Sequence, residues 1–349
     1  MDEPPCIYPQ HTRLSPVLVL GHSRSGTSLM CRLLLDHLGV NFGTESQFIV
    51  RYHQKLSRYG DLTDERRLRW LLDDISHERF FARTRQNFGF VFDVERAVRS
   101  IDPRTYAGVL RGIFEQFAGS QGHVRWGDKT PDYCRHLPLM HQLFPDAQFL
   151  HVVRDGRDVA HSNFKTGFGP KNAYEAAVDW KRTVAEIRQF RTTVPSDAFA
   201  EVHYEDLLRD PVGTIGQVAA YLGISNHEEV LAAVAPRLRT QVRSNNALKW
   251  KQHLTWREVE CFEAFAGDEL QTFGYPLQFR PRGGRRSAVE SVFWQSQAIW
   301  RRVANRRYWA DNWYKLGLRL KDHATTLRAL SRQRARNQWA APRARGLQP

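Results

Sequence analysis

Gly21 and Gly26 frame the segment Gly21-His22-Ser23-Arg24-Ser25-Gly26-Thr27-Ser28, directly behind the apolar run Pro16-Val17-Leu18-Val19-Leu20. Small residues between a strand and a helix leave backbone N–H groups free to converge on one anion. The positive end of the helix dipole adds to them. The spacing fits the phosphate-binding pattern G-x-x-x-x-G-K-S/T at all but one position, since Thr27 stands where the lysine would be. Without that lysine, the usual clamp on the outer phosphates of a nucleoside triphosphate is missing. A loop that keeps the cradle and lacks the lysine suits another phosphate-like anion. The same spacing also fits a glycine-containing turn that binds nothing, and the loop alone leaves both readings open.

The elements that must position this loop are legible as apolar runs. Residues 16–21 read as a buried strand and residues 29–38 as a helix. A second buried strand is expected over 148–153, followed by Arg154-Asp155-Gly156-Arg157 and a helix. A third is expected over 199–203, followed by Tyr204-Glu205-Asp206-Leu207-Leu208 and a helix through Leu222. Another helix is expected over 256–273, and helical stretches at 67–75 and 106–117 suggest an insertion or cap. Strands alternating with helices imply an α/β fold, a P-loop-like parallel sheet with helices on both faces. Right-handed crossovers then bring the strand-end loops to one edge, where ligands bind. The expected layout is an extension over 1–15, a catalytic domain over 16–280 with a helical insertion at about 46–120, and a basic tail over 281–349. Pro281-Arg282-Gly283-Gly284 marks the boundary.

Further along stand Gly43-Thr44-Glu45, Asp128-Lys129-Thr130-Pro131, the run from Phe149 to Ser162, His203-Tyr204-Glu205-Asp206-Leu207 and Lys249-Trp250-Lys251. With Arg24-Ser25-Gly26-Thr27-Ser28-Leu29-Met30, these pieces resemble, in order, the sulfotransferases that use 3′-phosphoadenosine 5′-phosphosulfate (PAPS). The tyrosylprotein and bacterial branches are the nearest in pattern, and the resemblance spans residues 17 to about 279. Ser23 departs from it, standing where a proline is common. Thr240 and Ser244 are the approximate candidates for a serine that the tyrosylprotein branch uses upstream of its Lys-Trp pair.

The resemblance implies roles. The loop Arg24, Ser25, Gly26, Thr27 and Ser28 would hold the 5′-phosphosulfate. Arg154 and Ser162, eight residues apart across a strand–turn–helix junction, would converge on the 3′-phosphate. The alternative for Arg154 is a strand-end ion pair with Asp155 or Asp158. Glu45 would be the general base and Lys129 would reach the bridging oxygen of the leaving nucleotide. A solvent-facing carboxylate at a turn and an ordinary exposed lysine are the plain readings of those two. Tyr204 would contact the nucleotide or pack in the core. Lys249 and Lys251, flanking Trp250, would close over the 3′-phosphate end, and Trp250 equally suits packing. Arginine and lysine supply the positive charge, so no metal is required. The expected activity is sulfuryl transfer from PAPS to a hydroxyl of a tyrosine or peptide, a carbohydrate or a lipid. The competing readings are a P-loop-type small-molecule kinase and a non-catalytic membrane- or polyanion-binding protein.

Charge is distributed unevenly. The chain of 349 residues carries a net +14, yet residues 280–349 hold 17 Lys+Arg against three acids, and residues 1–279 balance at 34 of each. The excess belongs to the tail, which reads as a cationic helix over 289–320 with tryptophans on its apolar side, suited to a membrane surface or a polyanion, or packed on the body. It offers no signal for specific nucleic-acid binding. Four cysteines, Cys6, Cys31, Cys134 and Cys261, form no CxxC pair, which fits a reducing compartment and no structural zinc. With no signal peptide and no apolar stretch of the ~20 residues that span a bilayer, the expectation is a cytoplasmic protein, at most peripheral to a membrane.

Overall fold

Val17–Leu20 (β1) is buried along its whole length, and its side chains point alternately into two different cores. Leu18 and Leu20 pack on one face with residues such as Phe48, Phe114 and Phe149. Val17 and Val19 pack on the other with Met30, Leu33, Leu34 and Ile215. That two-sided burial is why the strand reads as an unbroken apolar run. The computed structural model describes residues 14–166, 169–224 and 227–279, together with Ser296. The expected tail helix and the Pro281–Gly284 boundary lie outside these residues.

β1 is the middle strand of a five-stranded sheet in the order β2-β3-β1-β4-β5, with β2 at Val40–Phe42, β3 at Arg125–Asp128, β4 at Gln148–Val153 and β5 at Phe199–His203. Every pairing is parallel. After β1 comes α1 (Thr27–Leu38), and between β2 and β3 lie α2 (Ile49–Gln54), α3 (Glu65–Ser76), α4 (Arg79–Phe88), α5 (Val94–Ser100) and α6 (Tyr106–Ser120). Next are α7 (Leu137–Leu143), then α8 (Gly156–Phe164) and α9 (Ala173–Arg191) between β4 and β5. Beyond β5 follow α10 (Tyr204–Arg209), α11 (Pro211–Tyr221), α12 (His227–Gln241), α13 (Trp250–His253) and α14 (Trp256–Thr272). No helix among the described residues is long and apolar enough to cross a membrane.

Local chemistry sets the boundaries. α1 starts at Thr27 rather than Leu29, because Gly26, at φ 97, makes a left-handed turn directly into the helix. This puts the Thr27 and Ser28 hydroxyls in the first helical turn. Pro211 opens α11, with Asp210 accepting from the Gly213 N–H, so the chain after Tyr204 forms two helices. α14 begins with a capping box of Thr255 and Glu258. In α9, Ala173, Ala176, Ala177, Trp180, Val184 and Ile187 form a helical stripe, built largely of residues too small to stand out in sequence.

One buried ion cluster holds the C-terminal segment of the domain to the sheet edge. Arg157, 1% exposed, donates twice to Asp155 at 2.9 and 2.7 Å and to Glu263 of α14 at 2.5 Å. Glu263 also accepts from the backbone N–H groups of Gln278 and Phe279. Arg157→Met strands two carboxylates in the core, and we expect a loss of about 3–5 kcal/mol of unfolding free energy. Urea titration followed by tryptophan fluorescence reads this. A cost under about 1 kcal/mol would show that the cluster holds nothing in place.

Candidate functional site

All five strands end at the same edge, and each hands the chain to one of the residues singled out by sequence. β1 leads into the Gly21–Ser28 loop, and β2 ends three residues before Glu45. Lys129, Arg154 and Tyr204 each come directly after β3, β4 and β5. Between them lies a cleft of about 350 Å³ lined by Arg24, Gly26, Thr27, Ser28, Glu45, Lys129, Arg154, Ser162, Tyr204 and Lys249.

The loop is shaped by close approach. At Gly21 (φ 151) a Cβ would meet the Val152 carbonyl oxygen at 2.6 Å, and at Gly26 it would meet the Tyr204 ring at 2.2 Å. Neither position has room for a side chain. Between them Arg24 takes a positive φ of 75, its Nε donating to Ser162 Oγ at 3.0 Å. Ser25, 1% exposed, is turned into the protein and does not line the cleft.

Arg154 is 6% exposed, stacked over the Tyr204 ring at 4.6 Å. It donates to the backbone carbonyls of Arg24 at 3.2 Å and Asn246 at 2.7 Å, while its Nε has no partner among the described residues. The ion pair foreseen with Asp158 is present but long, at 3.6 Å. Asp158 instead accepts from the N–H groups of Leu248 (2.7 Å) and Trp250 (2.9 Å), and so brings Lys249 to the cleft. Trp250 is buried with its ring 3.9 Å from the Arg157 guanidinium, and Lys251 is exposed beside it, its ammonium 5.7 Å from that ring. Neither lines the cleft. Thr240 and Ser244 are exposed and also stand apart.

Other cleft residues escaped the sequence reading. Asn246 donates to the Tyr204 hydroxyl at 2.7 Å, and Lys165 stands at the end of α8. His161 stacks on His253 at 4.5 Å. Its imidazole is pushed down to about 4, foremost by burial and then by Lys165, His253, Lys249 and Arg154. The four basic neighbours lie at this end of the cleft, second to burial in their effect. Lone histidines and lysines without a spacing pattern give no signal in sequence.

At the opposite end Lys129 Nζ meets Glu45 Oε1 at 2.7 Å, both side chains partly buried. Gln47 Nε2 donates to the other Glu45 oxygen at 3.1 Å. The neighbours of these two residues hold them there. Ser46 donates through Oγ to Asp128 at 3.2 Å and through its N–H to Thr130 Oγ1 at 3.1 Å, and its Oγ is hydrogen-bonded to Tyr133 OH at 2.8 Å. The residue after Glu45 is thereby bonded to the residues on both sides of Lys129.

A protein-family model described as the sulfotransferase family matches residues 16–229. The match takes in every candidate up to Tyr204 and stops short of Lys249. A protein-tyrosine sulfotransferase of Drosophila melanogaster is 23% identical over 242 residues, which is 66% of this chain and 42% of the fly protein. The chain thus matches less than half the length of that relative. An omega-hydroxy-beta-dihydromenaquinone-9 sulfotransferase of Mycobacterium tuberculosis is 23% identical over 320 residues, 77% of this chain and 79% of its own. Among solved structures, the sulfotransferase domain of the Synechococcus olefin synthase aligns over 77% of this chain and 98% of its own, at 22% identity and a TM-score of 0.47.

The Ser46–Asp128 clamp has a pH signature. Burial raises the Asp128 carboxyl to about 6, against only partial relief from Thr130, Ser46 and Lys129. Its charged form is therefore the costly one in the fold. That cost is present above about pH 6 and is relieved as pH falls towards the free-carboxyl value of 3.8. We expect Asp128→Asn to stabilise the protein on the order of 2 kcal/mol at about pH 8 and to lose that advantage at about pH 4. Equal stabilisation at both pH values would show that Asp128 does not titrate this way.

Proposed function

The chain belongs to the sulfotransferase family, and from that premise we propose that its cleft takes PAPS as donor and moves the sulfuryl group onto a hydroxyl acceptor. The observation that carries this reading is the Glu45–Lys129 pair, 2.7 Å apart, beside a lysine-free anion loop. PAPS is anionic at both ends, and the cleft offers the loop with Arg24 to one and Arg154 and Lys249 to the other. In this reading Arg24, Gly26, Thr27 and Ser28 take the 5′-phosphosulfate, with Ser25 packed beneath them. Arg154, Ser162 and Lys249 take the 3′-phosphate, and Tyr204 meets the nucleotide between them. Trp250 supports Lys249 from the core, and Lys251 adds charge from the rim.

Sulfuryl transfer, like phosphoryl transfer, asks the protein for alignment and charge stabilisation rather than covalent chemistry. Glu45 accepts the acceptor's hydroxyl proton as the acceptor oxygen bonds to sulfur. The bond between sulfur and the bridging oxygen breaks, and Lys129 exchanges its contact with Glu45 for that oxygen as negative charge develops there. The products are a sulfate ester and 3′-phosphoadenosine 5′-phosphate (PAP). The fly relative is named for protein tyrosine and the mycobacterial one for a hydroxylated menaquinone. For this chain a peptide tyrosine, a lipid or a carbohydrate hydroxyl fits the same chemistry, and we place acceptor choice in residues 46–125. The basic tail would add contact with a membrane or polyanion.

PAP added without magnesium should raise the melting temperature by ligand linkage, and ATP should do much less. Equal stabilisation by both, or none by PAP, would favour the kinase reading or no nucleotide site. A second expectation separates the two ends of the cleft. Glu45→Gln should abolish turnover and leave PAP affinity near normal, whereas Arg154→Ala should weaken PAP by about 1.5–3 kcal/mol, the worth of a hydrogen bond to a charged group. Calorimetry and a turnover assay on the same preparations decide it. Near-normal turnover by Glu45→Gln would remove Glu45 as the base.

A further inference from the structure

His22 is the buried titratable group of the anion loop that the proposed chemistry leaves without a part. It is 4% exposed and follows Gly21 directly. Its Nδ1 lies 2.7 Å from the Ser23 carbonyl oxygen, and its Nε2 lies 3.1 Å from Asp179 Oδ2 on α9. Both partners can only accept. A neutral imidazole has one N–H and would turn a lone pair towards one of these oxygens, whereas an imidazolium satisfies both.

Asp179 is the carboxylate at the ring, and its other oxygen accepts from Arg135 and from Arg182, each at 3.1 Å. The Asp179 carboxyl is held below its usual range, foremost by the His22 hydrogen bond. Before His22 in the chain, the Gly21 carbonyl accepts at 3.8 Å from the Cys134 thiol, which burial pushes up to about 11. Two arginines already share one Asp179 oxygen, and the second oxygen is left for His22.

We infer that His22 is held as an imidazolium and acts as a positioning residue for the anion loop. It is the tie between the Ser23 peptide and α9. The Ser23–Arg24 peptide is planar and trans, so its C=O and N–H point in opposite directions. Fixing the Ser23 carbonyl on the ring turns the Arg24 N–H away from it and holds Arg24 in its positive-φ conformation, where its side chain reaches Ser162. This role rests on the reading that the loop takes the donor's phosphosulfate.

The test has two readouts on the full chain. In ¹⁵N-histidine-labelled protein without donor, with His22→Gln used to assign the signals, both His22 ring nitrogens should appear protonated at about pH 7. PAP affinity measured by calorimetry should be about tenfold weaker in His22→Gln at that pH, since glutamine cannot donate to both oxygens. The difference should shrink in step with loss of the ring proton as pH rises. Asp179→Asn should move that proton loss, and the fall in PAP affinity with it, to lower pH. A singly protonated ring at about pH 7, or wild-type PAP affinity in His22→Gln while the ring of the native protein is doubly protonated, overturns the proposal. Native protein that binds no PAP overturns the donor reading beneath it. The ring signals, read without donor, tell that failure apart from one of His22 itself.

Discussion

A parallel sheet delivers the C-terminal end of every strand to one edge, and the rest of this molecule depends on that constraint. With the order β2-β3-β1-β4-β5, the loop after β1 is flanked by the ends of β3 and β4. Glu45 and Lys129 arrive from one side, Arg154 and Tyr204 from the other. Residues separated by 159 positions in the chain, from Glu45 to Tyr204, become neighbours of one loop without any long excursion. The site sits where the strand connections diverge, which is where a parallel sheet leaves a crevice.

The cleft is cationic, and its cations are held by groups that are not. Asp158 turns its carboxylate away from solvent to anchor the backbone at Leu248 and Trp250, which carries Lys249 into place. Asp155 and Glu263 fix Arg157, whose guanidinium supports the Trp250 ring. Arg154 is held largely by carbonyl oxygens. Carbonyls orient a guanidinium without neutralising it, so its charge remains available to an anion. Burial first, and the neighbouring cations after it, hold the His161 imidazole down. The same separation of roles operates at the other end, where Ser46 and Asp128 hold the backbone while Glu45 and Lys129 face the cleft.

Much of this was legible in sequence, and the reason is local. β4 and β5 lie at 148–153 and 199–203, as their apolar runs predict, because a strand buried on both faces has nothing polar to blur its ends. The anion loop is legible because Gly21 and Gly26 are required by backbone conformation and close approach, properties that only glycine supplies. β2, three residues long, carries no readable period, yet its end places Glu45. Matching residues 16–229, the family model covers the span in which these local signals lie.

By itself, then, the sequence determined the strands β1, β4 and β5, the loop that lacks the lysine, and Glu45 and Lys129 as candidates. All of these depend on residues near one another in the chain or on residue types with one conformational use. Only the tertiary structure decided that Asp158 serves the backbone at Trp250 more closely than Arg154, and that Trp250 packs under the cleft instead of lining it. It also decided that Lys165, His161 and Asn246 join the cleft, and that both nitrogens of His22 face oxygens that can only accept. The physical reason is the same in each case. A side chain's charge and hydrogen-bond partners are set by whatever packs against it, and that neighbour lies too far along the chain for spacing to reveal.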